Sequence, residues 1–323
     1  MKCRFLFTLL LVSIALVGVA GPGKLLLPVA DDPPQYSPWS APVNLGPIVN
    51  SSANDAGAFI SKDGLSLYFG STRSGGYGGF DIWVSQRASE YDPWGLPQNL
   101  GPTVNTTYNE QTPTLSLDGH WLYFASDCPP PVGLGGQDIY VSRRHNKRDD
   151  FGWQSPVNLG SGVNSPAAES CPALFEDDES GTVTLYFNSD RLLANSEDIF
   201  ASTLQEDETF GPAALVEELS SPYRDARPAI WKDGLKMFLD SNRPGTLGGQ
   251  DLWISTRAST SDPWSTPENL GVVVNSTVLD ARPVLSFNGT ELYFHSNRSG
   301  GWGSNDLYRS TRTKLKGPDK DKK

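Results

Sequence analysis

One segment of about 55 residues is written five times along this chain, and that repetition limits its folds more than any other property. An aspartate that opens a short β-prone run recurs at Asp81, Asp138, Asp198, Asp251 and Asp306, in steps of 57, 60, 53 and 55 residues. A tryptophan or phenylalanine opens each unit, at Trp39, Trp94, Trp153, Phe210 and Trp264, usually followed by Pro and then Asn-Leu-Gly, as at Asn44-Leu45-Gly46 and Asn269-Leu270-Gly271. Self-similarity at a fixed period marks a repeat architecture in which no unit buries its apolar surface alone.

Each unit reads as four short strands. Brief β-prone runs such as AFIS and PVLS lead into Asp63-Gly64, Asp118-Gly119, Asp233-Gly234 or Asn288-Gly289, two-residue hairpin signals. The second strands are LSLYFGS, HWLYFAS, VTLYFNS, LKMFLDS and TELYFHS. A loop, rich in glycine in most copies, precedes the third (DIWVS, DIYVS, DIFAS, DLWIS, DLYRS), and the Trp-Pro-Asn-Leu-Gly segment is the fourth. No apolar pattern of helical period runs for ten or more residues. Four-stranded units that need neighbours on both faces close radially, so the expected fold class is an all-β, five-bladed β-propeller of antiparallel strands. The chain begins with a fourth-type strand, Trp39 to Gly46, and ends after a third-type strand, Asp306 to Thr311. The N-terminal strand is therefore expected to complete the last blade.

The remaining length divides around that ring. Residues 1–20 carry Lys2 and Arg4, an apolar run from Phe5 to Val19 and a small-residue end at Ala20, a secretory signal peptide expected to be cleaved near Ala20. Residues 21–38 form a Pro/Asp-rich leader, 39–312 the propeller and 313–323 a basic, disordered tail. The protein is expected to be periplasmic or secreted, without a membrane span, and monomeric. A net charge of −11, from 37 acidic against 26 basic residues, argues against nucleic acid as a partner.

The recurring P-x-x-S-x-D-G-x-x-L-Y-F-x-S-x-R … D-I-W-V-S pattern resembles the TolB-type, WD40-like (PD40) propeller repeat of exported bacterial proteins, over Trp39 to Arg312. The resemblance implies a binding scaffold and no single chemistry. The extra N-terminal domain of the TolB proteins is absent, so their role in the Tol system does not carry over.

Candidate sites follow from comparing the copies. An acid precedes each innermost strand, at Asp55, Glu110, Glu169, Asp225 and Asp280, and the five are expected to converge at one mouth of the central channel. Arg73, Arg191, Arg243 and Arg298 end the second strands on the same face, and Arg227 and Arg282 stand two residues beyond their acids. These groups either lock blade to blade as acid–arginine pairs or form a ring that contacts a ligand or metal. No cofactor is indicated, and calcium is the ion such a ring would suit. The aspartates that open the third strands are expected to accept N–H bonds from the preceding turn, and the tryptophans to pack the outer strands.

The most variable slot of the second strand holds Gly70, Ala125, Asn188, Asp240 and His295, and there Asp240 and His295 are expected to pair. Cys128 and Cys171 are expected to form a disulfide between blades two and three, against the alternative of two unpaired thiols.

No catalytic signature is present: neither a Gly-x-Ser-x-Gly elbow, nor a phosphate-binding Gly-x-x-x-x-Gly-Lys loop, nor a His-Glu-x-x-His zinc site. The leading functional expectation is accordingly a non-catalytic module that binds a protein, peptide or cell-surface glycan at the channel mouth. The alternative is a glycan-active enzyme, because five-bladed propellers also house arabinanase-like glycosidases, which this chain resembles in blade number and acidic mouth.

Overall fold

The computed structural model describes residues 35–193 and 196–315. The expected signal peptide and most of the leader and tail lie outside the described residues.

Five four-stranded antiparallel sheets form the blades. The inner strands are Asp55–Ile60, Glu110–Leu115, Glu169–Glu176, Asp225–Ile230 and Asp280–Leu285. The second strands are Ser66–Ser71, Trp121–Ser126, Val183–Leu193, Lys236–Ser241 and Glu291–Ser296. The third are Asp81–Gln86, Asp138–Arg143, Ser196–Thr203, Asp251–Thr256 and Asp306–Thr311. Two-residue outer strands follow at Gln98–Asn99, Val157–Asn158, Ala214–Leu215 and Glu268–Asn269. Val43–Asn44 supplies the outer strand of the fifth blade, pairing Val43 with Arg309 and Asn44 with Tyr308. The chain's beginning thus closes its end, as the strand order in the sequence requires. Among the described residues no helix is long and apolar enough to cross a membrane.

The Leu-Tyr-Phe of the second strands explains why blades need neighbours. Successive strand side chains point to opposite faces of a sheet, so this run feeds two interfaces. Tyr68 joins Leu122, Phe124 and Tyr140 of the second blade. Leu67 and Phe69 join Tyr293 and Leu307 of the fifth. All three of Leu67, Tyr68 and Phe69 are fully buried. Each such side chain contributes about 1.5–3 kcal/mol on leaving water, and none would be covered in an isolated blade.

Polar repeats fasten the rims of the blades. The aspartate of the third strand accepts the N–H groups of Tyr77 and Gly78 (Asp81), Leu247 and Gly248 (Asp251), or Trp302 and Gly303 (Asp306), as the sequence suggests. Asn99 Nδ2 adds a bond to Asp81 at 3.0 Å, and Asn44 adds one to Asp306 at 2.8 Å. A second asparagine then acts as a false strand residue. Asn50 accepts from the Leu307 N–H at 2.8 Å and donates to the Leu307 carbonyl at 3.0 Å, as Asn105, Asn164 and Asn275 do to Ile82, Ile139 and Leu252.

The outer tryptophans pack as expected and carry an addition that sequence reading missed. Arg87, Arg144, Arg257 and Arg312 lie over Trp94, Trp153, Trp264 and Trp39 at 4.3–4.5 Å from the ring centroids. Each of these arginines donates its Nε–H to the carbonyl of the hairpin glycine, Gly64, Gly119, Gly234 or Gly289. Those glycines have φ between 68° and 77°, a conformation that excludes a side chain at low cost.

The third blade departs from the pattern. Leu204 and Phe210 stand where the others have Arg and Trp, and Leu215 and Ser220 replace the two asparagines. Asp198 there has lost its asparagine partner, and burial followed by the charge of Asp225 raises its proton affinity.

Asn50→Ala leaves the buried N–H of Leu307 unpaired, while the Leu307 carbonyl keeps the Leu45 N–H. It is expected to lower stability by about 1–3 kcal/mol, read as a shift in the urea midpoint at unchanged slope.

Candidate functional site

Each of the five acids at the start of an inner strand is at most 1 % exposed, so none lines a mouth, which corrects the expected convergence. The reason is local satisfaction. Asp55 accepts from Ser51 N–H and Oγ, from Ser71 Oγ and from Arg73 Nη2 at 2.6 Å. Arg73 also bonds the Val49 carbonyl at 2.7 Å, in the segment that crosses from the fifth blade. Glu169 with Arg191, Asp225 with Arg243 and Asp280 with Arg298 repeat this latch. The acids and arginines are therefore brought together in pairs that fasten crossings to blades. Among the described residues no three His, Cys, Asp or Glu side chains gather as a metal-ligand set, so the acids offer calcium no common site.

Glu110 is the exception, because Cys128 occupies the arginine position of its blade. Its carboxylate keeps only Thr106 and Ser126 as partners, and burial raises its proton affinity. Both Cys128 and Cys171 are free thiols, which corrects the expected disulfide. Cys128 packs beside the second-blade core cluster, whereas Cys171 lies on an inner strand with its N–H facing Thr112 Oγ1 at 3.3 Å. Alkylation of the unfolded protein without reductant is expected to label both.

The channel is built by a different set of residues. Every inner strand breaks register after its second residue, as between Ala56 and Phe59 or Ala281 and Val284. The extra residue of each bulge takes a left-handed conformation: Gly57 (φ 67°), Thr112 (58°), Cys171 (56°), Arg227 (54°) and Arg282 (51°). A bulge re-aims the side chain it carries, and these five form the waist of the channel. Below them an apolar wall that includes Ala58, Pro172, Pro228 and Pro283 leads to a rim of Lys62, Leu117, Glu176, Lys232 and Phe287, enclosing a cavity of about 120 Å³. Waist and rim each hold four kinds of residue in five positions, in contrast to the repeated latches.

At the waist the charges are unequal. Asp240 accepts Arg224 and Arg227 at 2.9 Å each, and Glu197 pairs with Arg224. Burial opposes the charge on Arg227, but Asp240 outweighs it and raises its proton affinity. His295 is pushed well below its ordinary value by burial and by Arg227, Arg282 and Arg224. Its Nδ1 faces the Gly57 N–H at 3.4 Å, so His295 and Asp240 share the cluster without bonding to each other. Asp240 and His295 occupy the variable second-strand slot because they face the variable waist.

At the rim, Leu117 N–H donates to Glu176 Oε1 at 2.6 Å. Burial, ahead of the charges of Asp118 and Asp178, raises the proton affinity of Glu176. Asp118, one residue from Leu117, is exposed. Its partial burial is outweighed by the Ser116 hydroxyl at 2.6 Å and the His120 N–H at 2.9 Å, which lower its proton affinity. Lys232 and Lys62 sit over the Phe287 ring at 4.1 and 4.9 Å. Sequence reading missed Glu176, Lys62, Lys232 and Phe287. Their signal was a shared position seven residues beyond each latch acid, which holds Lys, Leu, Glu, Lys and Phe in the five copies.

No protein-family profile matches the chain, and no curated protein matches it in sequence. Among solved structures it is similar to an α-L-arabinofuranosidase from Lactobacillus brevis, at 15% identity and a TM-score of 0.57 over 84% of this chain and 93% of that one. It is similar to a thermostable family-43 glycoside hydrolase, at 12% and 0.56 over 86% and 94%. A Coprinopsis cinerea GH62 α-L-arabinofuranosidase catalytic domain gives 13% and 0.55 over 85% and 97%. At such identities the likeness shows the five-bladed fold. The leading expectation of a non-catalytic binding module is corrected on this finding, since the similar propellers are named as glycosidases.

Glu110 sets a test of the latch. Its raised proton affinity means that stability is lost as pH climbs from the ordinary carboxylate value through the raised one. Cys128→Arg supplies the cation that the other four blades have. It is expected to raise stability at pH 7 by about 1.5–3 kcal/mol, with no gain at a pH where Glu110 is protonated in both states, measured by urea unfolding at the two pH values.

Proposed function

We propose that this chain is an exported, glycan-active enzyme of glycoside hydrolase type, built on a TolB-type repeat, with its site at the rim of the axial cavity. The observation that carries the reading is the pair of neighbouring carboxyls whose surroundings push their proton affinities in opposite directions, Glu176 up and Asp118 down. That separation is what acid–base hydrolysis of a glycosidic bond requires. Glu176 holds its proton and delivers it to the departing sugar oxygen. Asp118 stays ionised and takes a proton from the water that attacks the anomeric carbon. Lys62 and Lys232, held over the Phe287 ring, stand at the rim to donate to sugar oxygens. The similar propellers whose names describe arabinofuranosidases and a family-43 hydrolase support a plant-type, pentose-containing glycan as substrate. Export rests on residues 1–20.

The test is reducing-sugar release from a panel of glycans that includes arabinoxylan. Glu176→Gln keeps the shape and removes the proton, so activity is expected to fall about 10²–10⁴-fold. The wild-type rate is expected to decline at high pH as Glu176 loses its proton and at low pH as Asp118 gains one. Equal rates in wild type and Glu176→Gln would remove this assignment.

A further inference from the structure

Arg282 is the one waist group that the latch and hydrolysis readings leave unexplained. It is 5 % exposed, yet among the described residues its Nε and Nη1 have no hydrogen-bond partner. Its Nη2 reaches across the channel to the Pro113 carbonyl of the second blade at 3.1 Å. The crossing passes over Gly57, where a Cβ would lie 3.4 Å from Arg282 Cδ, in ordinary van der Waals contact. Arg224 and Arg227 have Glu197 and Asp240 as salt-bridge partners, whereas among the described residues no carboxylate pairs with the guanidinium of Arg282, which feels Asp240 only through space. The Cys171 side chain lies against it, and sulfur is a weak acceptor.

A buried guanidinium with idle N–H groups and no counter-ion is costly, so it marks the place of an absent anion. Arg282 lines the axial cavity, and the anion therefore has a way in from the rim. The positive excess sits at the waist, where Arg224, Arg227 and Arg282 stand against Glu197 and Asp240, while Lys62 and Lys232 at the rim face the charges of Glu176, Asp118 and Asp178. A net positive well in a chain of formal charge −11 is a selective feature. One uncompensated positive charge calls for one negative charge, and the apolar wall between waist and rim suits a ligand whose anionic group is attached to a larger body.

We propose that the axial cavity binds a carboxylate-bearing sugar, a uronic acid residue of the glycan, and that Arg282 anchors its carboxylate. This deepens the glycan reading and rests on it. The rim carries the reacting bond while the waist reads the acid group, which makes Arg282 a specificity-determining residue.

The experiment is isothermal titration calorimetry of the full-length protein with D-glucuronate, D-glucose and L-arabinose, and with sodium acetate and sodium chloride as small monoanions. Glucuronate is expected to bind about 10- to 100-fold more tightly than the neutral sugars. Arg282→Met is expected to abolish that preference while leaving neutral-sugar binding in place. In the wild type, which needs no variant to fold, acetate is expected to compete with glucuronate. Cys171→Ala is expected to keep the preference. Equal affinity for glucuronate and glucose overturns the uronate assignment and leaves the glycan reading standing. Binding of acetate or chloride with no advantage for glucuronate over glucose also overturns it, since the arginine then serves only a free ion. If no sugar of either kind binds, the glycan reading falls and takes this inference with it.

Discussion

The structure depends on the opposed burial of adjacent residues in the second strand. Tyr68 packs against the blade after it while Leu67 and Phe69 pack against the blade before it, and the other copies do the same. A sheet with two apolar faces and no neighbours would expose both, so the ring is an all-or-none solution to burial. The exchange of the outermost strand follows from this. Val43–Asn44 brings the first residues of the ring onto the third strand of the last blade, so the interface that closes the circle is joined by backbone hydrogen bonds as well as by packing.

The polar repeats then hold what packing has brought together. Latch acids, false-strand asparagines and tryptophan-stacked arginines are buried polar groups that are costly when unpaired, and four or five copies of each are met by partners from the same blade or the crossing segment. Where one partner is missing the effect is visible. Glu110 without an arginine and Asp198 without an asparagine both hold protons more tightly than a free carboxyl, chiefly because they are buried.

The architecture was legible in the sequence because period and strand order are one-dimensional properties. The five copies, the Asp-Gly hairpins and the orphan strand at the start specify blade number and closure without any contact being known. The site was only partly legible. Asp55 and its four counterparts look functional as a row of carboxylates, but a row in sequence says nothing of the Ser and Arg groups that neutralise each one. The bulges were invisible, since Thr112, Cys171, Arg227 and Arg282 are not residues that announce a left-handed conformation. Cys128 and Cys171 seemed to share a face, but the bulge turns Cys171 inward and leaves Cys128 against the core.

The bulges also separate two jobs within one strand. Residue one of each inner strand is tied into the scaffold, whereas residue three is held in the left-handed conformation at the break in register and lies at the channel waist. Exchanging that third residue rewrites what the bore contains while the hoop around it is untouched. A ring of this design works like a barrel lock with five independent tumblers: identical housings, each free to carry a different pin.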